Sequence, residues 1–263
     1  MIKVLGEIEL PDTLYKYRDW SLKNHKRFLT KQEAYFASPS DFNDPFDCKI
    51  PIRYDINSEK HLEDIYYNMV KAVHQNATDE EVRDFAKKHV KEGPVSPDQF
   101  KKNGTEYFQN LNRRMGVFSL SACNNDILMW GHYANSHRGF CVGLDTGELM
   151  KTEGVDFIGK VQYCPVFPII VPVGSIEDDF HKQIFSKWDK WEYESEFRLT
   201  KNHISNRRIK FPKSAFKEII LGSNMTINER QSLIKMTNKL MPGVKIYEAR
   251  PHQEKFLIEI NPL

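Results

Sequence analysis

Apolar and polar positions alternate in short runs at both ends of this chain and switch to three- and four-residue spacing in between. A period of two marks half-buried strands, and a period near 3.6 marks amphipathic helices. Leu14-Tyr15-Lys16-Tyr17-Arg18 and Ala34-Tyr35-Phe36-Ala37 read as short strands, and Cys48 to Tyr54 resumes a strand-like pattern. From residue 58 to about 114 the period is helical, with Leu62, Ile65, Tyr66, Met69, Val70 and Val73 on one stripe. Thr78-x-x-Glu81 has the form of a capping box before Val82, Phe85 and Val90. Ser96-Pro97-Asp98-Gln99 is a second helix start, with Pro at the first helical position. This block predicts a helical insertion, acting as a lid or as scaffold.

Strands resume after it. Val117 to Ser121 alternates, Arg138 to Asp145 reads as a buried strand with a turn behind it, and Lys160 to Cys164 is another. Pro165, Pro168, Pro172 and Gly174 mark a loop. Ile219 to Gly222 is a strand ending in a turn. Thr226-x-x-Glu229 caps a helix that stops at Pro242-Gly243, and Val244 to Ala249 and Phe256 to Ile260 close the chain as strands. Strands grouped at both ends with helices between predict an α+β fold with mixed or antiparallel sheets, over a single domain of residues 1–263 with the helical insertion at about 58–114.

Composition narrows the class. Of 263 residues, 40% are hydrophobic and 28% charged, which supports a packed core and excludes global disorder. A formal charge of +2 lacks the strongly basic signature of a dedicated duplex binder. Cys48, Cys123, Cys141 and Cys164 form no C-x-x-C pair and fit no zinc module, so they read as reduced, partly buried thiols. No signal-like or membrane-length apolar run occurs, so the expectation is a cytoplasmic protein with no membrane partner. The phosphate loop, G-x-G-x-x-G and H-E-x-x-H patterns are absent, which argues against common ATPases, Rossmann dehydrogenases and zincins.

Four segments carry chemistry. The loop Ser38 to Asp47 places Asp41, Asn43, Asp44 and Asp47 among two Pro and two Phe, a stiff frame for presenting polar groups to a ligand. Ser119 and Ser121 share one strand face. Between Gly131 and Gly139, and just before them, Trp130 and Tyr133 offer stacking surfaces, His132 a proton-transfer group and Arg138 a phosphate ligand. In a strand ending Tyr193-Glu194-Ser195-Glu196-Phe197-Arg198, Glu194, Glu196 and Arg198 share a face. Paired carboxylates serve as general bases, as stabilisers of a cationic transition state, or as metal ligands.

These segments, in this order, resemble a widespread bacterial and phage domain-of-unknown-function family. Its members carry an LYKYR-like start, an ASPSxFNDPFD-like loop, an FSLS strand, an LMWGHYAxxHxGFCVGLD-like stretch and a W-x-YExEFR segment, found here at 14–18, 37–47, 118–121, 128–145 and 191–198. The arrangement is also similar to the Arg–Ser–Glu pattern of ADP-ribosyltransferases. That resemblance implies that Arg18 binds the phosphates of NAD, that Ser119 and Ser121 shape the nicotinamide pocket, and that Glu194 and Glu196 form the Glu-x-Glu pair, with Glu196 catalytic. His132 joins the catalytic candidates. Trp130, Tyr133, Arg138, Arg198, Asn43 and Asp44 join the binding candidates. The implied cofactor is NAD, consumed as substrate without a metal, by a toxin or phage-defence effector whose acceptor is left open. Two other classes stay open: a metal-dependent nuclease or phosphoesterase built on Asp44, Asp47, Glu194, Glu196 and His132, and a non-catalytic nucleotide-binding module.

Overall fold

A computed structural model describes residues 2–53, 63–64, 66–68, 70–71, 74, 76–91, 97–170 and 176–263. Leu62, Ile65, Met69, Val73, Tyr54, Ser96, Pro172 and Gly174, which entered the reading above, lie outside the described residues.

The strands are β1 (Lys3–Val4), β2 (Thr13–Arg18), β3 (Glu33–Tyr35), β4 (Gly116–Ser121), β5 (Phe140–Asp145), β6 (Phe157–Lys160), β7 (Gln162–Cys164), β8 (Ser186–Trp188), β9 (Glu196–Lys201), β10 (Arg208–Lys210), β11 (Phe216–Leu221), β12 (Lys245–Pro251) and β13 (Ile258–Pro262). The described helices are α1 (Lys23–Thr30), α2 (Asp79–Lys91), α3 (Pro97–Arg114), α4 (Ile127–Tyr133), α5 (Thr146–Leu149), α6 (Ile176–Phe185) and α7 (Ile227–Leu240). The result is an α+β protein on a nine-stranded sheet of order β1-β6-β9-β4-β2-β5-β11-β12-β13. The sheet is mixed: β1–β6 and β11–β12 pair parallel, and the other neighbours antiparallel. Two small sheets, β3 with β10 and β7 with β8, flank it.

Alternation along the strands builds a core on each face. Phe140, Val142 and Leu144 of β5, with Ile219 and Leu221 of β11, enter one core with Phe28, Leu29 and Leu233 from α1 and α7. Their strand neighbours Cys141 and Ile220 enter the opposite core with Tyr17, Met129 and Trp130. Burial of such side chains is the main stabilising term, about 1.5–3 kcal/mol for each large aliphatic or aromatic residue. Helix α7 begins as its sequence predicts, with the Thr226 hydroxyl accepting from the Glu229 N–H and Glu229 accepting from the Thr226 N–H.

Two strand expectations change. Among the described residues, 49–53 contribute only an isolated bridge, Ile52 to Ile170, because 45–48 is a turn and Cys48 takes a left-handed φ of 56°. Glu194 is not in a strand. It ends a 3₁₀ turn, Asp189–Glu194, closed by Ser195 at φ 44°, and β9 begins only at Glu196.

One discontinuity creates the cleft. β4 pairs with β9 over six residue pairs and β2 with β5 over six, but β2 meets β4 only at Tyr15–Ser121. Beyond that pair the two strands separate, and the sheet opens between them.

Candidate functional site

The split between β2 and β4 exposes backbone and invites long polar side chains to fill it. Lys16 and Arg18 of β2 do so. The Lys16 Nζ donates to the Ser119 carbonyl at 2.5 Å, a backbone acceptor facing the opening between the two strands. Lys16 and the Arg18 guanidinium both lie over the Phe118 ring, at 4.7 and 5.6 Å from its centroid. The Arg18 side chain makes no hydrogen bond to the described residues, and its Nε is buried without a partner. Burial lowers the Arg18 pKa to about 10 and, together with Arg18, pushes Lys16 well below its ordinary value. Two desolvated cations with no carboxylate in ion-pair contact among the described residues form a ready anion site.

A cavity of about 500 Å³ occupies this opening, lined by Arg18, Ser119, Ser121, His132, Tyr133, Asn43, Glu194 and Glu196 among others. Eight of the predicted site residues therefore face one space. A second cavity of about 420 Å³ shares Lys16, Arg18, His25, Phe42 and Ser119 with it and runs on to Arg27, Tyr35 and Arg208. The cleft is thus basic at one end and carboxylate-lined at the other.

The carboxylate end is a buried ion network. Glu196, at the start of β9, receives Arg198 Nε on Oε1 at 2.8 Å and Arg198 Nη2 on Oε2 at 3.0 Å. Lys187 of β8 donates to Glu196 Oε2 at 3.0 Å and also to Glu194. Arg198 Nη2 reaches Asp47 Oδ2 at 2.8 Å, and its Nη1 donates to the Ile184 carbonyl. The Tyr133 hydroxyl donates to Glu194 Oε1 at 2.5 Å, and the Tyr163 hydroxyl accepts from the Glu196 N–H at 2.8 Å. Burial alone would raise the Glu196 pKa, but Arg198 and Lys187 outweigh it and hold this carboxyl well below the usual range. For Glu194 burial wins over Lys187, and its pKa is raised. Two neighbouring carboxylates pushed in opposite directions divide ionised and proton-accepting roles between them.

Helix α4 delivers Tyr133 and His132. The Asp126 side chain caps its first turn by accepting from the Met129 N–H at 2.8 Å. The helix ends in three successive left-handed residues, Asn135, Ser136 and His137, at φ 48°, 52° and 66°. Left-handed geometry costs an L-residue roughly 1–2 kcal/mol. Hydrogen bonds from Ser136 N–H to the Gly131 carbonyl and from His137 N–H to the Trp130 carbonyl hold the turn. Gly139 completes it, since a Cβ there would lie 2.1 Å from the Arg18 carbonyl. The turn brings Asn135 to the cavity, where its amide donates to Asp19 at 3.2 Å.

Four binding candidates do not reach the cavity. Trp130 is fully buried against Tyr17, and its Nε1 donates to the Asn124 carbonyl, so it is a core residue and offers no stacking face. Arg198 is fully buried beneath the floor, committed to Glu196 and Asp47. Arg138 is exposed on the α4–β5 turn and does not line the cavity. Asp44 closes its own turn by accepting from the Phe46 N–H at 2.8 Å and lines a separate, largely apolar pocket with Phe46, Phe167 and Trp188. Lys16, His25 and Lys187 were not anticipated. Lys16 had a readable signal, standing two residues from Arg18 on the same strand face, and Lys187 a weaker one, as a lone cation between Phe185 and Trp188. The carboxylates Asp47, Glu194 and Glu196 converge, but their oxygens bond Lys187 and Arg198. Among the described residues no three His, Cys, Asp or Glu side chains are grouped to hold a metal ion.

Residues 129–199 match a family described as protein of unknown function, DUF2971, which supports the expected relation to a domain-of-unknown-function family. The matched stretch runs from α4 into β9 and contains His132, Tyr133, Lys187, Glu194, Glu196 and Arg198. Arg18, the 37–47 loop and Ser119-Leu120-Ser121 lie outside it. No curated protein and no solved structure matches the chain. Among the described residues no helix is long and apolar enough to cross a membrane.

Proposed function

We propose that this protein is an ADP-ribosyltransferase-like enzyme that cleaves the nicotinamide–ribose bond of NAD and passes ADP-ribose to an acceptor or to water. One observation carries the reading: Arg18, the Ser119-x-Ser121 pair and Glu196 come from strands adjacent in the order β2-β4-β9 and line a single cavity. Its polarity suits a ligand that is anionic at one end and cationic at the other, where the positive charge passes from the pyridinium ring to the sugar as the bond breaks. Arg18 and Lys16 take the pyrophosphate. Glu196, held ionised, faces the ribose, while Glu194 with its raised pKa takes the acceptor's proton.

In the step itself the C1′–N bond breaks and its electron pair returns to the pyridinium nitrogen, so nicotinamide leaves neutral. The ribosyl carbon left with positive charge is stabilised by the carboxylates. An acceptor O–H or N–H, or water, attacks that carbon, and its proton goes to Glu194 or to solvent. The consumption of NAD by such a step suits a toxin or phage-defence effector.

The test is nicotinamide release from NAD by the purified protein in EDTA, with cell extract added as a source of acceptor, comparing wild type with Glu196→Gln. The expected result is release that falls by roughly 100-fold or more in the variant, the usual scale for losing one electrostatic stabiliser. No release from wild type, or equal release from both proteins, overturns the reading.

A further inference from the structure

Glu194 and Glu196 of the ion network are close in sequence to both of its cations. Asp47 is not: it lies 151 positions from Arg198, on the Asp-rich loop for which the ADP-ribosyltransferase resemblance supplies no role. It nevertheless touches both cations that hold Glu196, Arg198 Nη2 at 2.8 Å and Lys187 Nζ at 3.5 Å. The left-handed Cys48 next to it turns the chain so that its sulfur lies 3.2 Å from Arg198 Nη1. Asp47, Glu194, Glu196, Lys187 and Arg198 are all buried. Besides Glu196, Asp47 is the carboxylate that both Arg198 and Lys187 contact, so it fixes where the two cations stand. A negative charge at that place is useful where a cation must be stabilised out of water.

We propose that Asp47 is a positioning residue for Glu196. It fixes Arg198 and Lys187 against the carboxylate and places a negative charge at the end of the cavity where the ribosyl cation forms. This rests on the NAD reading.

Asp47→Asn tests it, with two probes measured by calorimetry: ADP, and ADP joined to a protonated dihydroxypyrrolidine ring that imitates the cationic sugar. Nicotinamide release and thermal unfolding are followed in parallel. The variant should lose about 10-fold or more in kcat and in affinity for the cationic probe, because both report charge at the sugar. The affinity for ADP should stay within about two-fold, since ADP has no cation at the sugar end, and the KM for NAD should rise by less than kcat falls, because its pyridinium charge is spread over the ring before the bond breaks. Its Tm should stay within a few degrees of wild type, because each cation keeps a carboxylate.

Unchanged kcat and probe affinity overturn the proposal. So does an equal loss of both probes together with a lowered Tm, which is what a purely structural residue gives. Asp47→Glu keeps the charge but displaces it. It should fold, keep the KM and lose several-fold in kcat, and a wild-type kcat there also overturns the proposal. Wild type that binds neither probe and releases no nicotinamide fails the NAD reading itself and removes this inference with it. That outcome is distinguishable because the unmodified protein is inert.

Discussion

Arg198 grips Glu196, two residues before it on β9, through both Nε at 2.8 Å and Nη2 at 3.0 Å, although neither side chain meets bulk solvent. Residues two apart on a strand share a face, so the pairing is local in sequence. What makes it consequential is its setting: the same guanidinium holds Asp47 and the Ile184 carbonyl, tying a distant loop and the end of α6 to the floor of the cavity.

Replacing Arg198 by Met removes the charge at similar length. Asp47, Glu194 and Glu196 are then left buried with Lys187 as their shared ion-pair partner. Breaking a buried pair in this way costs about 3–5 kcal/mol. For a chain of this size that corresponds to a Tm lower by roughly 10 °C. A calorimetric or dichroism melt of Arg198→Met checks it, and an unchanged Tm would show that the network contributes little to folding.

Arg18 should behave in the opposite way. Its side chain has no hydrogen-bond partner among the described residues, so Arg18→Gln removes a desolvated charge and leaves the ligand-free Tm unchanged or slightly higher. Ligand stabilisation is where the variant should fail. A ligand at 100 times its Kd adds about 2.7 kcal/mol to wild type. Thermal shift with ADP should show that gain lost in Arg18→Gln, and equal shifts in both proteins would exclude Arg18 as the phosphate ligand.

His25 sets an acid limit on stability. Burial, with Arg18 and Lys16 nearby, lowers its pKa from 6.5 to about 4. Its Nδ1 accepts from the Asp19 N–H at 3.0 Å, a bond available only to the deprotonated nitrogen. A histidine with a depressed pKa contributes stability that is present above 6.5 and is lost as pH falls toward 4, because the unfolded chain takes up the proton first. After allowance for solvent screening at this partly exposed site, the loss is on the order of 1–2 kcal/mol. Melts at both ends of that window should show a smaller pH effect in His25→Gln than in wild type. Identical pH dependence would remove His25 from the account.

Much of this molecule was legible from its pattern. β2 and β4 lie where short strands were read, β5 is the buried apolar run and β11 the run ending at a turn, α7 follows its capping box, and Ser119 and Ser121 both reach the cavity. These are local properties: alternation, capping and turn chemistry act within a few residues and leave their mark in the order of residue types. Even the presence of an Arg, a Ser-x-Ser and a Glu-x-Glu was visible, though not their distances.

What the tertiary structure decided is which of these groups face one another. Trp130 reads as a stacking surface beside His132 and Tyr133, yet one turn of helix separates a core residue from two cavity residues, and only the packing of α4 on β2 assigns the sides. Asp47 and Asp44 look alike in the loop. One is drawn to Arg198 and Lys187, and the other closes its own turn. The separation of β2 from β4 after a single residue pair, which makes the cavity, has no local signature at all. The sequence alone therefore determined the elements and their polar faces, since these depend on near neighbours. The cleft, its charge separation and the buried network were decided by long-range pairing, where residues as far apart as Asp47 and Arg198 neutralise one another out of water.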